Sequence, residues 1–356
     1  MRRLHNIRTG LVAALLAAGC DGSSTDPVPV DYEVIPLGLS AEEAYTYYAR
    51  GLNDLGQVLL ASYPTGGSFG LWDDGWIARY NVWTGRLSGL NNHGAIVGGT
   101  GGWSDSREVR PFVARAGGVW YLAGDGLERA IANAVNDAGV IVGATDHPST
   151  GRAFIWTGSG VVFPELPGVT SSSAAAVNEL GEVVLQTQKA ACMPQAACTN
   201  ESLSYLWSKG TARKISAPAW SGSEGWTLVP EFSPLVRALD LNDAGQVVGT
   251  VDYLVQSGGT RRNRQRAFRW QNGVTTDLGI DGAALKINEA GHVLLAAPTP
   301  SLWVEGRVID LTETVAASGW RLTYAFDLND RGQILASGTH PQHAPNFAQV
   351  LLEPLK

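Results

Sequence analysis

One hairpin phrase, repeated seven times, constrains the fold of this chain more than any other feature of its sequence. Its clearest copy, at 237–249, reads as an apolar run, a four-residue turn from Asn242 to Gly245 and a second apolar run. An Asn side chain can start a type I turn by bonding the backbone two residues on, and a Gly can take the left-handed conformation that ends it in a bulge. Apolar residues on both sides of such a turn predict a β-hairpin.

The seven turns share their first and last residues. They are Asn53-Asp-Leu-Gly56, Asn91-Asn-His-Gly94, Asn136-Asp-Ala-Gly139, Asn178-Glu-Leu-Gly181, Asn242-Asp-Ala-Gly245, Asn288-Glu-Ala-Gly291 and Asn329-Asp-Arg-Gly332. Successive Asn residues are 38, 45, 42, 64, 46 and 41 positions apart, an apolar residue precedes each, and Ala stands four before the Asn in six copies. A period of about 40 residues with several short strands per unit indicates a propeller, an array or a solenoid.

Each hairpin is followed by further strand signals. Ala267-Phe-Arg-Trp270 and Ala153-Phe-Ile-Trp156 predict an aromatic third strand, and 272–279 contains a Gly turn and a fourth apolar strand. One unit is therefore a four-stranded antiparallel meander, which has too little core to fold alone and must stack on its neighbours. A ring of such sheets leaves only short, protected edges.

The two ends of the repeat region are complementary. Residues 31–38 resemble the fourth strand of a unit but no hairpin precedes them, whereas the last unit stops after its third strand at 346–352. We therefore predict an all-β fold for 31–356, a seven-bladed β-propeller of four-stranded antiparallel blades, whose ring is closed by the N-terminal strand completing the last blade. The alternatives are a different blade count and an open solenoid, which would need terminal units with polar outer faces.

The full repeat resembles a known family. The pattern Ile/Leu-Asn-Asp-x-Gly-x-Val-Val-Gly, followed by Ala-Phe-x-Trp-x-x-Gly-x-x-x-Asp-Leu-Gly, is similar to that of the HAF family of extracellular repeats. The unit at 237–279 matches closely and those at Asn136 and Asn329 match in the hairpin, whereas the unit at Asn91 has Phe112 without a following Trp. The resemblance implies an exported bacterial repeat protein, and it implies no particular activity.

The start of the chain predicts export and lipid anchoring. Residues 1–19 combine a basic beginning, a short apolar run and Ala-Ala-Gly before Cys20, as in a secretory signal. The ending resembles a bacterial lipobox, although Ala17 stands where Leu is usual. Several acyl chains on Cys20 would give a stable membrane anchor in the cell envelope, on its periplasmic or outer-surface side, and 20–30 would form a flexible tether. The alternative is a plain secretory peptide with an incidental Cys.

The net charge limits the classes of binding partner, and two of the cysteines predict a disulfide. Removal of 1–19 takes away Arg2, Arg3 and Arg8, which lowers Lys plus Arg from 26 to 23 against 33 Asp plus Glu and leaves a net charge of about −10. Such a charge argues against nucleic acid as the main partner, and we expect a monomer. Cys192 and Cys198 predict a local disulfide in an exported protein, because a metal site would need more ligands nearby.

The sequence contains no catalytic signature. It lacks a Gly-x-Ser-x-Gly elbow, a His-Glu-x-x-His helix and a phosphate loop. Turn chemistry accounts for the Asn-Asp-x-Gly phrases better than calcium, which needs six to eight oxygen ligands. Five Trp residues occupy one repeat position and are interpreted as core: Trp72, Trp156, Trp207, Trp270 and Trp303. We therefore expect no cofactor and no metal site.

Insertions into the repeat gather on one predicted face. In a four-stranded meander, the second loop and the connection to the next unit lie opposite the first and third turns. The long segments are of these two kinds: 99–110, 146–152, 188–202, 252–266 and the connection 216–236. Rigid scaffolds carry function on variable loops. The candidate binding residues on this face are Trp103, Asp105, Arg107, Trp220, Glu224, Trp226, Arg261, Arg262 and Arg264.

The leading functional hypothesis is a lipid-anchored envelope propeller that binds a protein or glycan partner through this face. One alternative is an envelope hydrolase or lyase with its site in the central depression of the same face. Another is a structural surface protein without a small ligand. The competing interpretations of the candidate residues are a solvated charged loop for the Arg residues and simple packing of the connection for Trp220 and Trp226.

Overall fold

The fold is known from a computed structural model that describes residues 31–39, 47–62, 69–80, 86–100, 109–116, 118–145, 151–191, 199–220, 222, 225–342 and 348–355. Strands in these ranges form seven antiparallel sheets, six with four strands and one with five. The predicted seven-bladed β-propeller is therefore confirmed. We number the sheets as blades I to VII along the chain.

Strand β1 (Tyr32–Pro36) precedes the first blade. Blades I to III are built from β2 (Tyr47–Leu52), β3 (Val58–Ser62), β4 (Phe69–Asp73) and β5 (Trp76–Tyr80); β6 (Arg86–Leu90), β7 (Ile96–Gly99), β8 (Pro111–Arg115) and β9 (Gly118–Tyr121); and β10 (Ala130–Val135), β11 (Ile141–Thr145), β12 (Ala153–Trp156) and β13 (Val161–Val162). Blade IV contains β14 (Ser171–Val177), β15 (Val183–Ala191), β16 (Thr199–Ser208) and β17 (Thr211–Ile215).

Blade V contains β18 (Thr227–Leu228), β19 (Leu235–Leu241), β20 (Val247–Ser257), β21 (Thr260–Gln271) and β22 (Val274–Asp281). Blades VI and VII are built from β23 (Ala283–Ile287), β24 (Val293–Ala296), β25 (Pro300–Val304) and β26 (Arg307–Asp310), and from β27 (Arg321–Leu328), β28 (Ile334–Thr339) and β29 (Ala348–Pro354). Between them lie helix α1 (Leu311–Thr314) and a 3-10 turn (Ala316–Ser318). In the described part of the chain, no helix is long and apolar enough to cross a membrane.

The repeated turns have the predicted chemistry. The Gly245 N–H donates to the Asn242 carbonyl at 3.1 Å, and Gly245 has a left-handed φ of 68°. The Asn242 side chain accepts from the Gln246 N–H at 3.1 Å. A single Asn thus stabilises the loop through both its backbone carbonyl and its side-chain oxygen, which explains why Asn and Gly recur at fixed spacing.

Apolar side chains join neighbouring blades. In one cluster, Val184 and Leu206 of blade IV pack with Val247 and Phe268 of blade V. The five Trp residues at the shared repeat position all lie in or against such clusters, as predicted. Each sheet is therefore stabilised by burial against the next one, since an isolated four-stranded sheet would expose both faces.

Strand β1 closes the ring. It pairs antiparallel with β29 from Tyr32↔Pro354 to Pro36↔Val350, and the sheet order of blade VII is β1-β29-β28-β27. The Tyr32 side chain is buried in the cluster between blades VI and VII. The predicted completion of the last blade by the N-terminal strand is confirmed.

Two expected loops are strands instead. Strands β20 and β21 pair continuously from Val247↔Trp270 to Ser257↔Thr260, so most of 252–266 is a hairpin with Gly258 and Gly259 at its tip. In blade IV, pairing continues to Ala191↔Thr199 and takes in much of 188–202. The alternation of buried Val251, Tyr253 and Val255 with more exposed residues explains the blade V extension, because period-two burial stabilises strands.

Candidate functional site

The seven turns form a closed ring of hydrogen bonds on one face of the propeller, called here the turn face. The side-chain Nδ2 of each turn Asn donates to the backbone carbonyl of the turn Asn in the next blade, at 2.9–3.2 Å. Asn329 completes the circle by donating to the Asn53 carbonyl at 2.9 Å. All seven Asn residues are at most 5% exposed. Each Asn therefore shapes its own turn and also binds two blades together.

A second ring follows immediately. The residue after each turn Asn donates its backbone N–H to a side-chain oxygen of its counterpart in the next blade, at 2.7–2.8 Å. The members of this ring, the acidic ring, are Asp54, Asn92, Asp137, Glu179, Asp243, Glu289 and Asp330. The Asn92 amide also donates to Asp54 at 2.7 Å and to Asp137 at 2.9 Å. Six carboxylates thus surround the central axis, and each accepts a backbone N–H.

Burial and like charge act on two carboxyls of the acidic ring. Burial raises the pKa of Glu289 above its ordinary value, and the charges of Asp243 and Asp330 raise it further. Burial also raises the pKa of Asp330, with added repulsion from Asp54 and Asp243. Hydrogen bonds from backbone N–H groups oppose both shifts. Within the described ranges, no group of three or more His, Cys, Asp or Glu side chains is arranged to hold a metal ion.

The innermost strands of the blades surround a central channel of about 330 Å³ that the acidic ring borders. The residue two positions before each turn Asn lines it. These residues are Gly51, Gly89, Ala134, Ala176, Asp240, Lys286 and Asp327. Blades I to IV therefore contribute no more than a methyl group at this position, and blades V to VII contribute charged side chains.

The three charged residues form one ion-pair network, the channel triad. Lys286 Nζ lies 3.6 Å from Asp327 Oδ1 and 3.9 Å from Asp240 Oδ1. The other oxygens reach the next blades: Asp327 Oδ2 accepts the Leu52 N–H at 2.8 Å, and Asp240 Oδ2 accepts the Ile287 N–H at 3.0 Å. The triad thus links blades V, VI, VII and I.

The electrostatics of the triad favour a fixed ion pair. The charge of Asp240, followed by that of Asp327, raises the pKa of Lys286 above its ordinary value despite burial. Burial raises the pKa of Asp240, and the Lys286 ammonium opposes that shift. Lys286 therefore stays protonated at neutral pH and cannot act as a proton acceptor there.

The opposite, loop-rich face carries the described part of the connection between β17 and β19. The Trp220 ring lies 5.0 Å from the Tyr253 ring at an interplanar angle of 59°, and Trp220 Nε1 donates to the Trp226 carbonyl at 3.2 Å. The Tyr253 hydroxyl donates to the Pro218 carbonyl at 2.8 Å. Tyr253 is fully buried, and burial raises its pKa to about 12. Trp220 thus packs the connection onto the blade V hairpin while remaining half-buried.

The predicted Arg residues lie on the same hairpin. The guanidinium carbon of Arg262 lies 5.3 Å from the centre of the Trp226 ring, within the range of a cation–π contact. Arg264 pairs with Asp281 at 3.3 Å. Arg262 and Arg264 share one side of β21 because side chains alternate along a strand, and Arg261 lies on the other side. The structure therefore brings Trp220, Trp226, Arg262 and Arg264 together, and it separates Arg261 from them.

Several predicted site residues lie outside the described ranges. They are Cys20, Trp103, Asp105, Arg107, Cys192, Cys198 and Glu224. The lipidation at Cys20 and the disulfide between Cys192 and Cys198 therefore stay predictions. So does the contribution of the blade II insertion to the loop-rich face.

The sequence interpretation missed Tyr253, Arg266 and the channel triad. Arg266 is mostly buried and binds Asp277 at 3.0 Å and Asp281 at 3.1 Å. A signal for the triad was present, since aligning the seven copies shows charged residues where four copies have Gly or Ala. Tyr253 stands in an alternating apolar segment within an insertion, where strand signals were interpreted as loop.

Comparison with known proteins supports the fold. No family model matches the chain, and no curated protein matches it. Among solved structures, the chain is similar to the β-propeller domain of the Trilobed protease from Pyrococcus furiosus, with 11% identity, a TM-score of 0.51 and coverage of 88% of this chain and 95% of that one. That domain is described as having an open velcro topology, whereas here β1 pairs with β29.

Two further structures give weaker similarities. YCF48 bound to D1 peptide has 12% identity and a TM-score of 0.46, over 94% of this chain and 97% of that one. A Mycobacterium tuberculosis puromycin-hydrolyzing peptidase has 11% identity and a TM-score of 0.48, over 93% of this chain and 56% of that one. At these identities, the similarity to the Pyrococcus domain establishes a β-propeller fold and nothing further.

Proposed function

We propose that the protein is a lipid-anchored binding module of the bacterial cell envelope, which holds a protein or glycan partner on its loop-rich face. The observation that supports this proposal is the blade V hairpin with Trp220, Trp226 and Arg262 packed beside it. Trp and Arg are among the residue types most enriched at the energetic centres of interfaces, where the complex packs and desolvates them fully.

The two faces of the propeller differ in a way that favours this choice of surface. On the turn face, every blade repeats the same two hydrogen bonds to its neighbour. On the loop-rich face, β20 and β21 have 11 and 12 residues and β15 and β16 have 9 and 10, whereas the corresponding strands of the other blades have four to seven. Variation on a rigid scaffold is typical of a recognition surface.

The enzyme alternative places its site in the central depression of the loop-rich face, and the charged residues of the channel, which lie two positions before the turn Asn residues, do not support it. Asp240 and Asp327 each accept a backbone N–H of the next blade with Oδ2 and face Lys286 with Oδ1. Asp327 Oδ1 also accepts the Leu328 N–H at 3.0 Å. Groups held in this way link blades and have little freedom to transfer protons. A binding module is therefore the better account of the described residues.

The decisive experiment replaces Trp220 and Trp226 by Ala, separately and together. Protein and glycan partners recovered from an envelope extract on immobilised propeller should fall strongly for the double variant, while the fold persists. Trp76→Ala is a matched control, because Trp76 is 76% exposed on the outer strand of blade I. Each variant is also melted.

The interpretation that the two Trp residues only pack the connection predicts a different result. If the two Trp residues only hold the connection in place, the double variant should lose about 3 kcal/mol of stability or more and no partner specifically. Unchanged recovery of partners by the double variant would overturn the proposal. A drop in recovery without a matching drop in the melting midpoint supports it.

A further inference from the structure

We infer that the outer edge of the blade V hairpin, at 261–265, binds an extended acidic peptide by adding it to the sheet as one more strand. This inference rests on the proposed binding function and specifies the surface and the chemistry of the partner. It concerns a different set of groups from the Trp residues tested above, namely the backbone and the arginines of β21.

The edge exists because neighbouring strands have unequal lengths. Strand β21 pairs with β20 along its whole length, from Trp270↔Val247 to Thr260↔Ser257. Strand β22 pairs with β21 only as far as Arg266↔Asp281. Residues 260–265 consequently project beyond β22, and no described strand pairs with their outer side. Residues 261, 262, 263 and 265 are exposed.

The direction of the backbone groups follows from one hydrogen bond. The Gly282 N–H donates to the Gln265 carbonyl at 3.0 Å, so the polar groups of Gln265 point outward, away from β20. The N–H and C=O groups of successive residues alternate between the two sides of an antiparallel strand. Asn263 and Arg261 therefore also point their N–H and C=O groups outward, which is the pattern that a further strand requires.

The other edge of this hairpin is covered. Strand β18 pairs with β20 at Thr227↔Gln256 and Leu228↔Val255, and the Val229 N–H donates to the Leu254 carbonyl at 3.0 Å. The long connection thus occupies the inner edge with its own backbone. Proteins commonly protect unpaired edges from association, and here one edge of a hairpin is covered while the other is left accessible.

The arginines determine which strand the edge accepts. Arg261 lies on one side of β21 and Arg262 on the other, so an added strand would meet positive charge on both faces. Among the described residues, no carboxylate lies within salt-bridge distance of either. The Trp226 ring packs against the Arg262 guanidinium. The two arginines favour an acidic segment at this edge although the net charge of the whole chain is −7, and a second copy of the edge is disfavoured by like charge.

The experiment measures binding of a synthetic peptide to the full propeller. The probe is a seven-residue peptide in which pairs of adjacent Glu residues are separated by Val or Thr, so that acids lie on both faces of the extended chain. Asn263→Pro removes one outward N–H, and Pro is tolerated in an edge strand whose nitrogen faces solvent. Asn263→Ala is the matched control, because it removes the side chain and keeps the donor.

We expect Asn263→Pro to weaken binding about tenfold, the effect of one lost hydrogen bond with some steric exclusion, and Asn263→Ala to change it about twofold or less. Arg261→Gln and Arg262→Gln should each weaken binding and reduce its dependence on salt. A peptide with Lys in place of Glu should not bind. Should Asn263→Pro unfold the hairpin, peptides N-methylated at alternate amides provide the same test from the ligand side.

Three outcomes would overturn the inference. They are equal binding of the acidic peptide to the Pro and Ala variants, equal binding of the Lys peptide, and concentration-dependent self-association through this edge. The proposed function is judged separately: if the Trp variants lose envelope partners while the peptide fails to bind, only the strand-addition inference is wrong. If the unmodified protein recovers no envelope partner, the proposed function itself is wrong.

Discussion

At the scale of single residues, the repeated Asn has two roles and the sequence reveals only one of them. Its Oδ1 accepts backbone N–H groups within its own turn, which the spacing of Asn and Gly predicts. Its Nδ2 donates to a blade 38 to 64 residues away in sequence or, for Asn329, to Asn53. That second role depends on the angle at which blades stack, so no local pattern encodes it. The acidic ring was interpreted as turn chemistry for the same reason.

The acidic ring should make stability depend on pH. The pKa values of Glu289 and Asp330 are raised in the folded state. Between the unfolded values, about 4, and the raised ones, the folded state binds more protons than the unfolded chain, so stability falls as pH rises through this window. Replacing Glu289 by Gln and Asp330 by Asn keeps an acceptor oxygen for each backbone N–H and removes the charge.

We therefore expect the double variant to lose less stability than the parent when pH rises from about 4 to 7. Urea unfolding at four pH values in this window measures the slope. Identical slopes for the parent and the double variant would show that these two carboxyls are not responsible.

At the scale of strands and hairpins, the repeated pattern predicted the strands within each copy. It did not predict the structure of the segments that connect the copies. The four strands of each blade and the core position of Trp270 follow from local alternation and turn residues. Strand β18 has two residues and exists only because β20 lies beside it, so its formation depends on tertiary contact. The extension of β20 was readable from Val251, Tyr253 and Val255, but the surrounding polar residues favoured a loop.

Deletion of 31–38 tests the closing strand. It removes the pairing of β1 with β29, the buried Tyr32 and Leu37, and the bond from Trp72 Nε1 to the Leu37 carbonyl at 2.9 Å. Blade VII should then unfold before the other blades, because its third strand has lost its outer partner.

The measurement is urea unfolding followed by both Trp fluorescence and far-UV circular dichroism. The two transitions should coincide in the parent and separate in the variant. Deletion of eight residues from the predicted tether, 21–28, is the control. A variant that unfolds in one transition at the parent midpoint would contradict the closing role of β1.

At the scale of the whole molecule, the features that depart from the regular repeat are concentrated in neighbouring blades of the ring. Blades V to VII contain the channel triad, and blade V also contains the longest connection and the two longest of the described strands. The number of blades and their closure were predictable because one end of the repeat region has a surplus strand and the other lacks one. The grouping of the triad, the connection and the hairpin in neighbouring blades was not predictable, since it depends on how the blades pack around the channel.

Anchoring is also a property of the whole molecule. Cys20→Ser should release the protein from the membrane fraction, because acylation of this thiol is the proposed attachment. The propeller begins after the tether, so the melting midpoint of the released protein should equal that of the detergent-extracted parent. Cell fractionation followed by immunoblotting gives the answer. A variant that remains in the membrane fraction to the same extent as the parent would show that the lipoprotein assignment is wrong.

The pairing of β1 with β29 has a consequence for how the protein is made. A ribosome produces β1 long before β29, and the two strands meet only after residues 348–354 have emerged. Pairing between such distant segments is also slow to form. The ring therefore cannot close until residues 31–354 have all been translated. Under the proposed export, a pore that threads unfolded chains would deliver this protein before its ring has closed, and the pairing of β1 with β29 would follow delivery.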